Sequence, residues 1–367
     1  APTFSSIVVV DDQTTADAAF RLARDGKGLL WRGDFHNARQ LLQAMARRVD
    51  KQSTKRPDKQ PIQCVPPTRI KETFNQYRAA QGQRAAILNR LLIPFEANYH
   101  IPLRRAPDVR QACSEAYGEL SAPESSLSFV APLRELQGVI GAHEWRKKGV
   151  PVAALNARIH PHYGVFAPVR GEYVGLVNDA PLPAALNDLS LAFDIGTGTG
   201  VLAAVLARRG IARVIATDQN PRALACAVDN LARLGLAEQV TVMPADLFPA
   251  GRAPLIVCNP PWVPAQPNSA LDEAIFDPDS RMLRGFLAGL ATHLTPGGEG
   301  WLVLSDIAEH LGLRTRDELL AIIASAGLTI AGRMDVRPTH RRVSDTSDPL
   351  HAARAAEVTS LWRLVVA

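Results

Sequence analysis

Near residue 190 an apolar run enters a cluster of glycines and leaves it as a helix. Residues 189–193 read as a strand, Asp194-Ile195-Gly196-Thr197-Gly198-Thr199-Gly200 as a tight turn, and residues 201–209, closed by Gly210, as a helix. A strand that passes straight into a helix meets its next strand through a crossover, and so in parallel. The alternation then repeats. Residues 213–218 are a second strand, and Asn220-Pro221 supplies an N-cap and a first-turn proline for a helix through Leu234. Residues 239–243 and 253–259 are further strands, with Ala-Asp-Leu-Phe (245–248) between them. A helix over 280–294 gives out before Pro296-Gly297-Gly298, residues 300–306 form a fifth strand, and a last helix covers 314–326. Two β-rich runs, 328–336 and 357–366, follow with no helical pattern between them, which predicts an antiparallel pair at the sheet edge. The fold class is therefore α/β: an open parallel sheet with an antiparallel edge strand, wrapped by helices.

The first 150 residues carry a different signal and read as a mostly helical domain. Thr14 and Thr15 can cap a helix over 16–24 that stops at Gly26, and Asp34 can cap another over 35–49. Further helical patterns cover 74–92, 108–117 and 133–148, and the polar, proline-rich stretch 50–68 reads as an exposed loop. The expected organisation is a helical domain over 1–150, a β-rich connector over 151–184 and the α/β domain over 185–367. Charge follows the same division: residues 1–150 carry a net +8, residues 151–367 a net −3, and no lysine follows Lys148. The basic excess gathers at Arg47, Arg48, Lys51, Lys55, Arg56 and Lys59, and at residues 146–148. Such a bias suits an anionic partner such as RNA or a ribosome; it equally suits a solvated face beside a loop. No apolar run approaches the ~20 residues that cross a bilayer, so neither a membrane span nor a secretory signal is expected. Cys64, Cys113, Cys226 and Cys258 lie far apart, with no zinc or disulfide spacing, which fits a reducing cytoplasm and no metal.

Four landmarks stand at successive strand ends, where open α/β sheets bind their ligands. The glycine turn lets backbone approach a ligand closely. Its spacing is Gly-x-Gly-x-Gly, with Val201 where a dinucleotide-binding turn needs its third glycine, and no Gly-Lys-Ser/Thr forms a P-loop. Asp218, followed by Gln219, ends the second strand, where a carboxylate can accept both hydroxyls of a ribose. Asp246 follows the third strand beside Leu247 and Phe248, placed to accept from an adenine amino group between apolar walls. Asn259-Pro260-Pro261-Trp262 directly follows the fourth strand.

At this point the sequence resembles the class I S-adenosylmethionine-dependent methyltransferases, in the branch that methylates planar nitrogen at Asn-Pro-Pro-aromatic. The resemblance covers roughly residues 185–367 and implies a Rossmann-like sheet. It implies S-adenosylmethionine as cofactor (S-adenosylhomocysteine as product), held by Asp194, Gly196, Thr197, Gly198, Gly200, Asp218, Gln219, Asp246, Leu247, Phe248 and Asn259. Asn259, Pro260, Pro261 and Trp262 would be the catalytic group. The lone pair of an amide or nucleobase nitrogen is delocalised. Asn259 Oδ1 and the Pro260 carbonyl can accept its N–H groups and favour the pyramidal transition state, on a loop that prolines stiffen. Trp262 offers a flat face for stacking.

Upstream, Glu135-Leu-Gln-Gly-Val-Ile-Gly141-Ala-His-Glu144-Trp145 and Gly164-Val-Phe-Ala-Pro168-Val-Arg-Gly-Glu172-Tyr are similar to the connector of HemK-type glutamine N5-methyltransferases. In that family the second element reads Pro-Arg-Pro-Glu-Thr-Glu, and the aromatic of the catalytic motif is usually Tyr. The resemblance makes Phe166, Pro168, Arg170 and Trp262 candidates for the substrate side. It implies a methyl acceptor that is a protein glutamine amide, with an exocyclic amine of RNA or DNA as the alternative. A further alternative is a catalytically silent cofactor-binding module that recruits a translation component, although a silent descendant has no physical need for Asn259–Trp262. His160 and His162 read as structural, and residues 340–342 with Asp345, Asp348 and His351 as a charged loop.

Overall fold

The helix caps expected from the sequence organise the first unit. In this computed structural model, which describes residues 4–54, 69–120, 128–267, 272–339, 345 and 348–367, the chain divides into two compact units. One is Ala1–Val65 with Phe74–Glu144, the other Pro66–Thr73 with Trp145–Ala367. Strand β1 (Ile7–Val10) leads to α1 (Ala16–Arg24), where Thr15 accepts from Ala18 N at 3.3 Å. After β2 (Gly28–Trp31), Asp34 Oδ1 accepts from His36 N at 2.9 Å and opens α2 (Phe35–Thr54). Then come α3 (Ile70–Leu88), β3 (Leu91–Phe95), α4 (Arg110–Tyr117), β4 (Phe129–Pro132) and α5 (Leu133–Lys148).

Helices predominate here, yet the first unit also contains a four-stranded sheet, order β1-β2-β3-β4, that the helical reading omits. Strands β1, β2 and β3 are parallel and β4 is antiparallel to β3. The strands are only four or five residues long, and apolar runs that short have no periodicity to separate them from a helix end. Leu91 and Leu92, read as the last turn of a helix, are the first residues of β3. Part of the basic charge on α2 is neutralised locally, since Arg48 donates to Asp17 at 2.6 Å. Lys55, Arg56, Lys59 and Cys64 lie outside the described residues; Cys113, Cys226 and Cys258 are free and buried.

The second unit opens with a hairpin, β5 (Val150–Val152) and β6 (Ala157–Ile159), followed by α6 (Glu172–Asp179). His160 N donates to Asn230 Oδ1 at 2.7 Å, and His162 Nε2 lies 3.1 Å from Asp229 Oδ2. Both histidines thus brace the hairpin's exit against the helix Pro221–Arg233. Its main body is β7 (Leu191–Ile195), α7 (Val201–Arg208), β8 (Arg213–Asp218), α8 (Pro221–Arg233), β9 (Val240–Pro244), β10 (Ala253–Cys258), α9 (Arg281–His293) and β11 (Leu294–Ser305). After these come α10 (Ile307–His310), α11 (Arg316–Ser325), β12 (Leu328–Val336), α12 (His351–Ala356) and β13 (Thr359–Val366).

These strands form one seven-stranded sheet, order β12-β13-β11-β10-β7-β8-β9. Strands β7 to β11 are parallel, and β13 is antiparallel to both β11 and β12. The expected antiparallel pair is present, but it corrects in two respects. The reversed strand β13 is inserted one place in from the edge, which β12 occupies, and α12 interrupts the connection read as non-helical. Insertion gives β13 backbone partners on both sides, and Leu361 and Leu364 are wholly buried there. Alternate residues of β7 face opposite layers: Ala192 joins the cluster with α6, α7 and α8, and Phe193 that with α9 and α11. Strand β7 pairs with β8 on one side and β10 on the other, so the winding reverses between β7 and β10. That switch point opens a crevice at the carboxyl ends of the two strands.

Candidate active site

The glycine turn and the Asn259 loop leave β7 and β10, and so stand on the two lips of this crevice. Gly196, Gly198 and Gly200 all have positive φ, at +72°, +55° and +79°. At Gly196 a Cβ would collide with Met282 Cε, and at Gly200 it would sit 3.2 Å from the Cα and Cβ of Ala227, which cannot retreat. Around Gly198, by contrast, a Cβ would meet nothing within 4 Å. The middle of the turn is therefore open backbone.

What holds the turn is Asp194. Its Oδ2 accepts from Thr197 Oγ1 at 2.6 Å and from Ala203 N at 3.0 Å, tying strand, turn and α7 together. Both side chains are buried and spent inside the protein, so they shape the turn rather than project from it. Burial pushes the Asp194 carboxyl up to about 6, against the two hydrogen bonds that lower it. The folded carboxyl thus holds its proton over a pH range where the unfolded one has lost it. The contribution of protonated Asp194 is fully present below about pH 4 and is lost as pH rises to about 6. Asp194→Asn keeps an oxygen for both donors and cannot ionise. Urea melts should show wild type losing up to ~3 kcal/mol relative to the variant between pH 4 and pH 7. A stability difference independent of pH would refute a neutral Asp194.

Asp218 stands beside the open part of the turn, half-buried. Its Oδ2 accepts from Gly198 N at 3.0 Å and its Oδ1 from Asn220 N at 2.9 Å. Each carboxylate oxygen keeps a further lone pair for a hydroxyl. Gln219 is exposed next to it. Thr217, which sequence reasoning passed over, donates from Oγ1 to Leu247 O at 2.6 Å and so ties the end of β8 to the loop after β9. Leu247 takes a left-handed φ of +75°, a strained conformation for a leucine, in the loop that carries Asp246.

The apolar wall expected around Asp246 is arranged differently. Phe248 stacks on Phe286 at 5.8 Å and on His293 at 4.2 Å, so its ring packs under α9. Asp246 is exposed and ion-paired with Arg281 at 2.8 Å. Only the three-dimensional packing of α9 decides these directions, since nothing local distinguishes an inward from an outward phenylalanine.

The Asn259 loop is anchored behind its acceptor groups. Cys258 and Pro260 are buried and Asn259 is half-buried. Val263 N donates to Ile275 O at 3.2 Å, and Asp277 N donates to Val263 O at 2.9 Å. Asp277 in turn accepts from Met282 N and Leu283 N and so caps α9. Asp277 and Met282 are functional candidates missed in the sequence. The only local signal was an aspartate a few residues before a helix start, common to most helices.

On the other bank, Arg170 reaches Glu357 Oε1 at 3.5 Å, and Glu172 Oε1 accepts from Thr339 N at 3.0 Å. Glu357 also accepts from Ser305 Oγ at 2.8 Å, and burial raises its carboxyl above the ordinary range. The segment after Gly164 is thereby fastened to both ends of the β12–β13 connection, with Pro168 buried and Phe166 half-buried. His340, Arg341 and Arg342 lie outside the described residues. Among the described residues no group of His, Cys, Asp or Glu could hold a metal ion, and no helix is long and apolar enough to cross a membrane.

A comparison with protein families matches residues 180–316 to the family described as Methyltransferase small domain. The release factor glutamine methyltransferase of Cereibacter sphaeroides is 36% identical over 172 residues, 45% of this chain and 57% of that protein. That of Moorella thermoacetica is 35% identical over 149 residues, 35% of this chain and 50% of the relative. The ribosomal protein L11 methyltransferase of Sorangium cellulosum is 30% identical over 226 residues, 56% of this chain and 62% of the relative. The chain thus spans less than two thirds of the length of each of these curated relatives. The open backbone at Gly198 beside a half-buried carboxylate fits a ligand with a diol and an amino-acid arm, as S-adenosylmethionine has.

Proposed function

We propose that this protein is an S-adenosylmethionine-dependent N-methyltransferase acting on a planar nitrogen, with a protein glutamine amide as acceptor. The observation that carries the reading is the pairing of Asn259 and Pro260, at the end of β10, with the glycine turn and Asp218 across the switch point. When bound, S-adenosylmethionine supplies a methyl group already activated as a sulfonium. Gly198 would admit its amino-acid arm against bare backbone, with Gly196 and Gly200 shaping the turn on either side, and Asp218 would accept from its ribose. The Asp246–Leu247 loop would border the adenine, with Leu247 contributing through its turn rather than Phe248 through its ring. Asn259 Oδ1 and the Pro260 carbonyl then accept the N–H groups of the acceptor nitrogen and stabilise the positive charge that grows there. Alignment and preorganised acceptors do most of what this transfer requires.

Two observations support a protein acceptor: the names of the relatives specify a release factor and a ribosomal protein, and Arg170 and Glu172 build a polar bank after Gly164. The +8 charge of residues 1–150 supports the second reading, an exocyclic amine on RNA or DNA. The deciding experiment incubates the protein and tritiated S-adenosylmethionine with extract from a strain lacking the gene. Protease-sensitive label that hydrolyses to methylglutamine is the expected result. Label released by nuclease would transfer the assignment to the nucleic acid.

A further inference from the structure

The indole of Trp262 does something that a flat stacking face does not require. Its Nε1–H donates to Asn259 Oδ1 at 2.9 Å, three residues back along the same loop. Trp262 is half-buried and packs against the apolar clusters on both faces of the sheet, so the ring is wedged at the sheet's end. The hydrogen bonds of Val263 with Ile275 and Asp277 hold it from behind. A carboxamide has an oxygen on one side and an NH2 on the other, and rotation about its last bond exchanges them. For the proposed chemistry that exchange is fatal, because Nδ2 would present hydrogens to the hydrogens of the acceptor nitrogen.

We propose that Trp262 is a positioning residue whose indole N–H fixes the amide of Asn259 so that Oδ1, and not Nδ2, meets the methyl acceptor. This rests on the N-methyltransferase reading above. A phenylalanine or tyrosine at this position keeps a flat face but has no N–H at that place. An Oδ1 already holding one donor keeps one lone pair. Asn259 therefore takes one N–H of the acceptor, and the second N–H of a primary amide falls to the Pro260 carbonyl. The site accordingly suits a primary amide or amine, with one acceptor for each hydrogen.

The test replaces Trp262 by Phe and, to keep volume, by benzothienylalanine, whose sulfur stands where the indole N–H was. With tritiated S-adenosylmethionine and extract from the deletion strain, both variants should lower kcat about 5- to 10-fold. The affinity for S-adenosylhomocysteine should stay within about two-fold, since no contact to that ligand is altered. In an Asn259→Asp background, where both sides of the group are oxygen, the loss on removing the indole N–H should shrink to within about two-fold. Proton–nitrogen NMR supplies a readout independent of turnover. Of the five indole signals, the one missing from the benzothienylalanine protein should be protected from exchange in wild type and lose that protection in Asn259→Ala. Wild-type kcat in the benzothienylalanine protein, or an unprotected Trp262 indole, would overturn the positioning role while leaving the methyltransferase assignment intact. No label from the wild type itself would remove the functional reading, and this role with it.

Discussion

Asn259→Ala is expected to lower turnover about 100- to 1,000-fold while leaving the affinity for S-adenosylhomocysteine nearly unchanged. The asymmetry follows from where the residue stands. It leaves β10 on the lip opposite Asp218, and its oxygen gains strength as an acceptor only as the attacked nitrogen becomes cationic. The fold should survive, because the truncated side chain is half-buried and its loop is held by Val263 and Asp277 rather than by the amide. The measurement is single-turnover transfer of tritiated methyl to the labelled polymer from extract, alongside calorimetric titration with S-adenosylhomocysteine. Wild-type turnover in this variant would discard the acceptor mechanism even with fold and cofactor correct.

The second large effect concerns the cofactor. Asp218→Ala should weaken S-adenosylhomocysteine about 5- to 150-fold, the consequence of leaving buried ribose hydroxyls unpaired at ~1–3 kcal/mol. The structure adds a second cause. The same carboxylate accepts from Gly198 N and Asn220 N, so its removal also frees the open part of the glycine turn. Asp218→Asn separates the two, for it keeps one oxygen but turns an NH2 toward one of these backbone donors. It should therefore fall between wild type and alanine. Tight binding of NAD with no heat from S-adenosylhomocysteine would exclude the cofactor assignment altogether.

Both predictions stand on residues that could be picked out before any coordinates. Thr15, Asp34 and Asn220 cap helices where the sequence places them, because a cap is a contact between residues two or three apart. The glycine turn was readable for the same reason, since only glycine takes positive φ at three alternate positions without strain. Asn259 and Trp262 were legible because two prolines after a buried strand make a stiff loop whatever surrounds it.

What escaped the sequence depended on partners far along the chain. The short strands of the first unit gain their identity only by pairing with one another, as Leu29 does with Leu91. The insertion of β13 between β11 and β12 is decided by competition for backbone partners, which alternation of apolar residues does not encode. Phe248 turned under α9 because Phe286 and His293, far along the chain, offer it a stacking surface. Asp246 met Arg281 for the same reason.

By itself the sequence determined the parallel α/β domain, the glycine turn, Asp218 at the end of β8 and the stiff loop that begins at Asn259, because each is set by local sterics and short-range hydrogen bonds. Only the tertiary structure decided that Asp194 is a buried brace, that Met282 closes over Gly196, and that the indole of Trp262 points its N–H at Asn259. Those assignments turn on which side chains burial forces together and on the directions their polar atoms must then take, and neither is written in the spacing of residues along the chain.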